Sequence, residues 1–454
     1  MSVYTGPAPE VDQRRLDQLV SQAIQAGADD AITRRLGEHL AQAPDDRVAS
    51  MRAFELADLW GTERRETLAT FLRGTTVGLL DLKWDILCPF CRVPTGEFGS
   101  LSEVTGQSHC PSCAMTVDVN FDQLVEVRFK PAPAIRTASV GVYCVGGPRN
   151  TPHVVAQAEL GAAQALRWEL QVPDGQYRLR SPQGGAALIE VGREGVSGRV
   201  GVALESHEMV PLFLQVNGNR VDLSVESHLD GPALVALEEQ SWTDTAATAA
   251  LVSTMGEFRD LFSSEVLAPG LQVAIERLAL VFTDLAGSTA LYERIGQARA
   301  FRLVQDHFVV LDAAIRDHNG SIIKTIGDAV MAVFPTAMDA AAAAAIQMQC
   351  GMQQLAVAEG VDAPRLLKVG IHTGACLAVT LNEKLDYFGT VVNIAARTEH
   401  EAKGGEIMVT SDAWEDGGVA ELLEAAATSV ETTQAMLKGI TEAVDLHRVI
   451  GIKC

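Results

Sequence analysis

The chain has 454 residues, 47% of them hydrophobic, and a formal net charge of −22 at pH 7. The hydrophobic content supports packed cores, and a chain of this length predicts about two to four domains. The acidic balance disfavours broad binding to nucleic acid or to anionic membranes, because both favour basic protein surfaces. No stretch approaches the ~20 apolar residues of a membrane-spanning helix, and the amino terminus lacks a signal pattern. We therefore expect a cytoplasmic, multidomain α+β protein.

Residues 1–83 are predicted to form a helical domain. Two polar helices are expected within residues 11–50. Residues 53–61, 65–72 and 78–83 then follow the order helix, glycine turn, helix and strand start, which resembles a winged helix-turn-helix. Such a motif either binds DNA or serves as a packing or dimerisation module. The acidic chain with its modest Arg and Lys content favours the second interpretation.

Residues 84–121 contain a paired cysteine motif. Cys88 and Cys91 are followed, after eighteen intervening residues, by Cys110 and Cys113. This spacing predicts a zinc-ribbon-like unit in which four thiolates complete a structural, tetrahedral Zn²⁺ site. His109 is an alternative ligand, disfavoured by its position beside Cys110, and a redox dithiol is the alternative chemistry. The other cysteines are scattered and are predicted to be reduced and structurally incidental: Cys144, Cys350, Cys376 and Cys454.

Residues 122–240 change to short alternating strands separated by turn residues, which predicts a β-sandwich with a regulatory role. The loop at residues 144–153, rich in glycine, proline and polar residues, either binds a ligand or is a crossover between strands. The predicted strands are residues 124–129, 168–172, 187–191, 212–216 and 219–225.

Residues 241–272 are predicted to form a connecting helix that ends at residues 268–270. Its apolar positions recur at helical spacing: Ala247, Leu251, Met255, Phe258 and Phe262. The segment is the covalent route from the sandwich to the last domain, so it is a candidate transducer. A passive spacer and a short coiled-coil seam are the alternatives.

Residues 273–454 carry three motifs with complementary chemistry. In the first, an apolar strand ends at Asp284 and a Gly287-Ser-Thr turn leads into a helix. A carboxylate at a strand end suits a hard metal ion, and free N–H groups at a helix start suit phosphate oxygens. The second motif, residues 322–334, predicts a β-hairpin across Gly327 and Asp328, with Lys324 four residues before the aspartate.

The third motif places Asn393 and Arg397 four residues apart, on one face of a predicted helix. Two acidic residues, a phosphate-binding turn, a lysine, an amide and a guanidinium together describe a nucleotide phosphoryl site. Taken singly, Asp284 suits a helix N-cap, Asp328 an ordinary turn, and Arg397 an ion pair with Glu401. Their occurrence in this order disfavours coincidence.

Residues 282–289, 324–328 and 386–397 resemble the class III nucleotidyl cyclase catalytic domain, a resemblance that covers roughly residues 276–454. The family implies a ferredoxin-like βαββαβ core. It also implies that Asp284, Asp328 and the carbonyl of Leu285 hold two Mg²⁺ or Mn²⁺ ions, which activate the ribose 3′-hydroxyl and bind the triphosphate. The stretch from about residue 30 through the sandwich resembles an uncharacterised module found ahead of some bacterial cyclase domains.

The same resemblance implies how the substrate is bound. Lys324 and Asp386 stand where the family reads the adenine edge; guanylyl cyclases typically have Glu and Cys there, so ATP is the expected substrate. Asn393 is expected to orient the ribose, and Arg397 to stabilise charge on the α-phosphate. The further expected substrate contacts are Leu285, Gly287, Ser288, Thr289, Lys368 and Lys438.

In this family one protomer supplies the metal carboxylates and the other supplies the adenine pair, the asparagine and the arginine. Because this chain carries both sets, the resemblance implies a head-to-tail homodimer with two equivalent sites. An unknown ligand or protein is expected to regulate it through the N-terminal half. The alternatives are a cyclase for GTP or a pyrimidine nucleotide, a catalytically silent nucleotide sensor, and a transcription-type protein dominated by its helix-turn-helix and zinc ribbon.

Overall fold

The computed structural model describes residues 10–88, 94–110, 115–119, 121, 124–138, 154–181, 183–193, 195–206, 208–239, 246–268, 270–358, 366–440 and 442–454. Its amino-terminal part is helical, and the side chains of Asp12, Asp29 and Glu63 cap three of these helices. The helices are α1 Gln13–Gln25, α2 Asp30–Gln42, α3 Asp45–Val48, α4 Ala53–Trp60 and α5 Arg64–Thr76.

Helix α5 packs inward. Leu68, Phe71 and Leu72 are fully buried, and the Phe71 ring lies edge-on to Phe129 at a centroid distance of 5.2 Å. The Arg65 side chain is partly buried and donates a hydrogen bond to the backbone carbonyl of Asn319 at 3.3 Å, so the helix also reaches the C-terminal domain. This placement favours the packing interpretation of the helix-turn-helix pattern.

A small sheet follows the helices. Its central strand β1 (Leu80–Leu87) is antiparallel to β2 (Pro94–Phe98) and to β5 (Val125–Pro131), while β3 (Gln107–Cys110) and β4 (Met115–Asp118) form a separate hairpin. The assignment of residues 124–129 to the sandwich was therefore wrong. Alternate side chains of β5 enter the core of the helices, which fixes this strand to the amino-terminal part. Cys91 and Cys113 lie outside the described residues.

The next strands form one sheet of order β11-β10-β13-β7 and another of order β12-β9-β8-β14-β6. Side chains from both sheets, among them Tyr177, Leu179 and Leu223, share one buried apolar cluster. The loop at residues 144–153 lies outside the described residues. The strands are β6 Val154–Leu160, β7 Ala165–Gln171, β8 Gly175–Ser181, β9 Gly185–Gly192, β10 Arg199–Leu204, β11 Met209–Val210, β12 Phe213–Asn217, β13 Arg220–Ser227 and β14 Ala233–Glu239.

The predicted single connecting helix is wrong. The chain forms two short helices, α6 (Ala249–Ser253) and α7 (Gly256–Leu261). The hydroxyls of Ser253 and Thr254 donate to backbone carbonyls one turn back, which competes with helix continuation, and a glycine of low helix propensity follows. The periodic apolar side chains are buried or half-buried in the core of the amino-terminal helices, which disfavours a coiled-coil seam.

The C-terminal part has the predicted βαββαβ core, with sheet order β16-β17-β15-β18-β20-β22-β21 and with β19 paired to β18. Its elements are β15 Val273–Leu285, α8 Ser288–Ile295, α9 Gln297–Asp317, β16 Ser321–Ile326, β17 Ala329–Phe334, α10 Ala337–Ala342, a π-helix Ala343–Met348, α11 Gln349–Ala358, β18 Leu367–Leu381, β19 Lys384–Phe388, α12 Thr390–His400, β20 Glu406–Thr410, α13 Ser411–Trp414, α14 Val419–Ala426, β21 Ser429–Ala435 and β22 Val444–Ile450.

The two faces of this sheet pack against different parts of the chain. Alternate residues of a strand point to opposite faces. On β15, Ala279 and Val281 belong to the cluster formed with the helices of the C-terminal domain. Leu278, Leu280 and Phe282 belong instead to the cluster that holds the amino-terminal helices, β1 and β5. The amino-terminal part and the C-terminal sheet therefore share one hydrophobic core.

Cys350 on α11 and Cys454 form a disulfide, with Cα atoms 5.3 Å apart. The prediction of reduced thiols was wrong for these two residues, because the fold returns the C-terminus to α11. Cys376 is buried on β18, and Cys144 lies outside the described residues. Among the helices of the described ranges, none is both long and apolar enough to cross a membrane.

Candidate active site

Two carboxylates lie at one end of the central strands. Asp284 is near the end of β15, and Asp328 is in the turn between β16 and β17, where Gly327 adopts a left-handed conformation (φ 68°). Thr283 pairs with Val330, so both aspartates stand at the same end of the β15–β17 pair. The predicted hairpin is confirmed, and it brings the two acidic side chains together.

The third charged group at this end is Lys368, which lies opposite Asp284 on β18. Its Nζ is 2.9 Å from Asp284 Oδ2 and 2.5 Å from Glu399 Oε1 on α12. Burial alone would lower the pKa of Lys368, but hydrogen bonds to Glu399 and Asp284 outweigh it and raise that pKa. Lys368 thus ties the carboxylate of β15 to α12 and stays a cation.

Sequence reasoning missed two buried groups beside the aspartates. Burial and the neighbouring Asp328 carboxylate raise the pKa of Tyr292 to about 12, although its hydroxyl lies outside hydrogen-bond geometry with Asp328. Burial lowers the pKa of His307 to about 4, so the ring is neutral at pH 7. Tyr292 is one helical turn beyond Ser288, a spacing that places it near the site. The period of α9 predicts only that His307 is buried.

The helix start after Asp284 is open. Gly287 is the N-cap of α8, with φ of 66°, and no side chain caps this helix. Of the predicted phosphate-contacting residues here, Gly287 and Thr289 are exposed and Ser288 is half-buried. Backbone N–H groups at such a start attract anions.

Lys324 and Asp386 meet directly. Lys324 Nζ on β16 is 2.6 Å from Asp386 Oδ2 on β19, although the two residues are far apart in sequence. The other carboxylate oxygen of Asp386 accepts the backbone N–H of Tyr387 at 2.8 Å, which fixes its orientation. Lys324 is 39% exposed and Asp386 11% exposed by side chain, so the pair lies at the border of solvent. It presents a donor beside an acceptor, which suits the edge of a base.

Helix α12 presents Asn393 exposed and Arg397 half-buried. Arg397 makes no ion pair with Glu401 within the described ranges, so that alternative finds no support. Lys438 is exposed in the loop between β21 and β22. No contact recorded among the described residues links Lys438 to the other site residues.

The acidic pair fits a divalent metal ion. Asp328 Oδ2 is buried and accepts no hydrogen bond from the residues that the structure describes. Carboxylate oxygens are the ligands that Mg²⁺ prefers, and Mg²⁺ usually completes its shell with substrate phosphates and water. No group of three or more His, Cys, Asp or Glu side chains in the described ranges is arranged to hold a metal. The protein would thus supply the two aspartates and the Leu285 carbonyl, and the substrate would supply further ligands.

Comparison with known families identifies this part of the chain. Residues 272–441 match the adenylate and guanylate cyclase catalytic domain, and residues 13–141 match a family of unknown function, DUF5939. The second match begins and ends earlier than the module predicted from about residue 30, and it stops before the strands β6–β14. Residues 272–441 are thus a class III nucleotidyl cyclase catalytic domain.

Individual proteins are also similar to a part of this chain. An adenylate cyclase of Mycosarcoma maydis is 34% identical over an alignment of 164 residues, and the match covers 30% of this chain and 6% of that protein. An adenylate cyclase of Anabaena cylindrica is 31% identical over an alignment of 147 residues, and the match covers 30% of this chain and 29% of that protein. The solved adenylyl cyclase CyaB from P. aeruginosa is 25% identical, with a TM-score of 0.34, over 40% of this chain and 97% of its own. The chain therefore spans only a minor part of these curated relatives.

Proposed function

We propose that the protein converts ATP to 3′,5′-cyclic AMP and pyrophosphate, as a phosphorus–oxygen lyase. The observation that carries the base assignment is the contact of Lys324 with Asp386 at 2.6 Å. A lysine donor suits the N1 atom of adenine, and a carboxylate acceptor suits its 6-amino group. Guanine presents the reverse pattern, an acceptor at O6 and a donor at N1. The curated relatives described above are named adenylate cyclases.

In this proposal the substrate's own 3′-hydroxyl attacks the α-phosphate in line, so the protein needs no covalent nucleophile. Two Mg²⁺ or Mn²⁺ ions held by Asp284, Asp328 and the Leu285 carbonyl would supply Lewis-acid activation and charge neutralisation. Asn393 orients the ribose, and Arg397 stabilises charge on the α-phosphate as pyrophosphate leaves. Positioning and electrostatic stabilisation account for most of the rate.

The other predicted substrate contacts are proposed to neutralise the negative charge of the triphosphate. The open start of α8, residues 287–289, faces phosphate oxygens with backbone N–H groups. Lys368 balances the charge of Asp284 until substrate and metal arrive, and then shifts toward a phosphate oxygen. Lys438, on an exposed loop, is proposed as a further contact to the phosphates.

The test is product formation by the full-length protein with Mn²⁺ or Mg²⁺ and each of ATP, GTP, CTP and UTP. Cyclic AMP from ATP alone is expected. Another cyclic nucleotide would overturn the base assignment and keep the reaction class. No product under any condition, from protein that melts cooperatively, would contradict the enzyme proposal and favour a silent nucleotide sensor.

We propose further that the active form is a head-to-tail homodimer in which one protomer supplies Asp284 and Asp328. Its partner supplies the base-reading pair and α12. Asp284→Ala and Arg397→Ala should each abolish activity, whereas their mixture should recover up to about a quarter of it when subunits exchange at random, because half of the dimers then carry one intact site of two. Failure to recover, with exchange shown by differently tagged subunits, would contradict the shared site.

The N-terminal half is proposed to regulate this dimer and to contain a structural zinc site. Cys88 directly follows β1, Cys110 ends β3, and both side chains are fully buried, which suits a closed site. Cys91 and Cys113 complete the proposed ligand set. Zinc content near one per chain, lost in Cys88→Ser together with a lower melting temperature, is the expected result. Zinc-free wild-type protein of unchanged stability would contradict it.

The proposed division of the chain is a helical unit at residues 1–83, a zinc-ribbon-like unit at 84–121, a sandwich at 122–240, a connecting segment at 241–272 and the catalytic domain at 273–454. The first strand of the sandwich range, β5, pairs with β1. We therefore move the start of the sandwich to β6. Limited proteolysis that leaves β1 and β5 on one stable fragment and β6–β14 on another would support this revised boundary.

A further inference from the structure

Asp386 is held on both sides by the segment that precedes the catalytic domain. Leu385 and Tyr387 are its neighbours on β19. Arg259 on α7 donates from Nη2 to the backbone carbonyl of Leu385 at 2.7 Å. Ser253, the last residue of α6, shares a hydrogen bond with the Tyr387 hydroxyl at 2.8 Å. Both contacts span more than 120 residues of sequence, so they are tertiary.

These contacts are sheltered from water. Ser253 is fully buried and Tyr387 is 2% exposed, and Leu385 and Tyr387 lie in the same apolar cluster as Phe258 of α7. Arg259 Nη1 is buried and has no hydrogen-bond partner among the described residues. Among the described residues, Arg259 therefore donates its side-chain hydrogen bond through Nη2, to the strand that carries Asp386.

Helix α7 makes two further ion pairs. Glu257 pairs with Arg65 of α5 at 3.4 Å, and Asp260 pairs with Arg316 of α9 at 3.0 Å. Helix α7 thus contacts the amino-terminal helices on one side and β19 on the other. A shift of α5 relative to the sheet would pull on the strand that carries Asp386.

We infer that Arg259 and Ser253 are positioning residues for base recognition. They fix the backbone of β19 on either side of Asp386, so that its carboxylate meets the 6-amino group of adenine, and they make this recognition depend on the docking of α6 and α7. The inference rests on the proposed cyclisation of ATP. Neither residue touches substrate; both act through Leu385 and Tyr387.

The experiment uses the full-length protein and compares ATP with purine riboside 5′-triphosphate, which lacks only the 6-amino group. The ratio of the two kcat/KM values does not depend on the fraction of active protein. Arg259→Ala should lower this ratio about tenfold, the loss expected for one hydrogen bond to a charged group. Arg259→Lys, which keeps a cationic N–H donor, should have a ratio close to that of the wild type. Ser253→Ala should also lower the ratio.

Asp260→Asn is the matched control. Asp260 is on the same helix, but its ion pair with Arg316 of α9 is at the surface, where the two side chains are 61% and 40% exposed. Loss of such a pair contributes little to docking, so α7 should stay in place and the ratio should keep its wild-type value. A general packing defect would lower both kcat/KM values equally and leave the ratio unchanged, and that result overturns the inference. An equal loss of the ratio in Asp260→Asn also overturns it. Wild-type protein without cyclic AMP formation would instead refute the proposed function, and the inference with it.

Discussion

Exchanging the base-reading pair should move substrate preference from ATP toward GTP. The change is Lys324→Glu with Asp386→Cys, which replaces a donor beside an acceptor with the residues typical of guanylyl cyclases. Each hydrogen bond to a charged group contributes about 1.5–3 kcal/mol, so loss of both adenine contacts should cost ATP about 3–6 kcal/mol. The ratio of kcat/KM for ATP to that for GTP should therefore fall by about 10²- to 10⁴-fold.

The structure also predicts that the double variant is more stable than the Lys324→Glu single variant. Lys324 Nζ lies 2.6 Å from the Asp386 carboxylate, which is only 11% exposed. Lys324→Glu alone puts a second carboxylate beside this largely buried carboxylate and should lower the free energy of unfolding by about 1–3 kcal/mol. Adding Asp386→Cys removes the repulsion, so the double variant should melt above the Lys324→Glu single variant. A folded double variant with the wild-type ATP-to-GTP ratio would refute the assignment of these residues.

Other consequences follow from buried groups. Burial lowers the pKa of His372 from 6.5 to about 4, so the unfolded chain binds more protons between these values and stability should fall by up to about 3 kcal/mol as pH drops from 6.5 to 4. In urea titrations at several pH values, His372→Gln should reduce this dependence. A part should remain, because burial also lowers the pKa of His307 to about 4; a pH dependence that His372→Gln leaves unchanged would contradict the assignment. The Cys350–Cys454 disulfide closes 104 residues, so Cys454→Ser should lower the free energy of unfolding by up to about 4.7 kcal/mol and abolish any effect of reductant on the urea midpoint. Gly370→Ala would place a Cβ against the backbone of Glu399; a loss of about 1–3 kcal/mol in the same titration is expected, and an unchanged midpoint would contradict the close approach of α12.

Local patterns carried most of what could be predicted about the site. The glycine and aspartate between two apolar runs specify a hairpin, because a left-handed residue is needed in the tight turn and Gly327 supplies it. A helical period likewise places Asn393 and Arg397 on one face. In contrast, the contact of Lys368 with both Asp284 and Glu399 depends on the pairing of distant strands. No local signal specifies such a pairing.

The connecting segment shows the limit of periodicity. Apolar residues at helical spacing correctly indicated which side chains are buried, Met255 and Phe258 among them. They did not indicate that the helix breaks between Ser253 and Gly256, because two short helices bury the same positions as one straight helix. The competing side-chain hydrogen bonds of Ser253 and Thr254 decide between the two. Because α5 and β5 already form a core, the apolar side chains of both short helices stay buried in it despite the break.

The shared core determines how the N-terminal half should be tested. Leu278, Leu280 and Phe282 are 7% exposed or less, and they pack in the cluster that contains the amino-terminal helices. A fragment that starts near residue 270 would leave this face of the sheet open to water, which favours aggregation or a second, unintended contact. Its inactivity would then reflect the exposed face rather than a missing activator. Substitutions at the α7 contacts in the intact chain change the coupling while the core stays covered, so they separate regulation from folding.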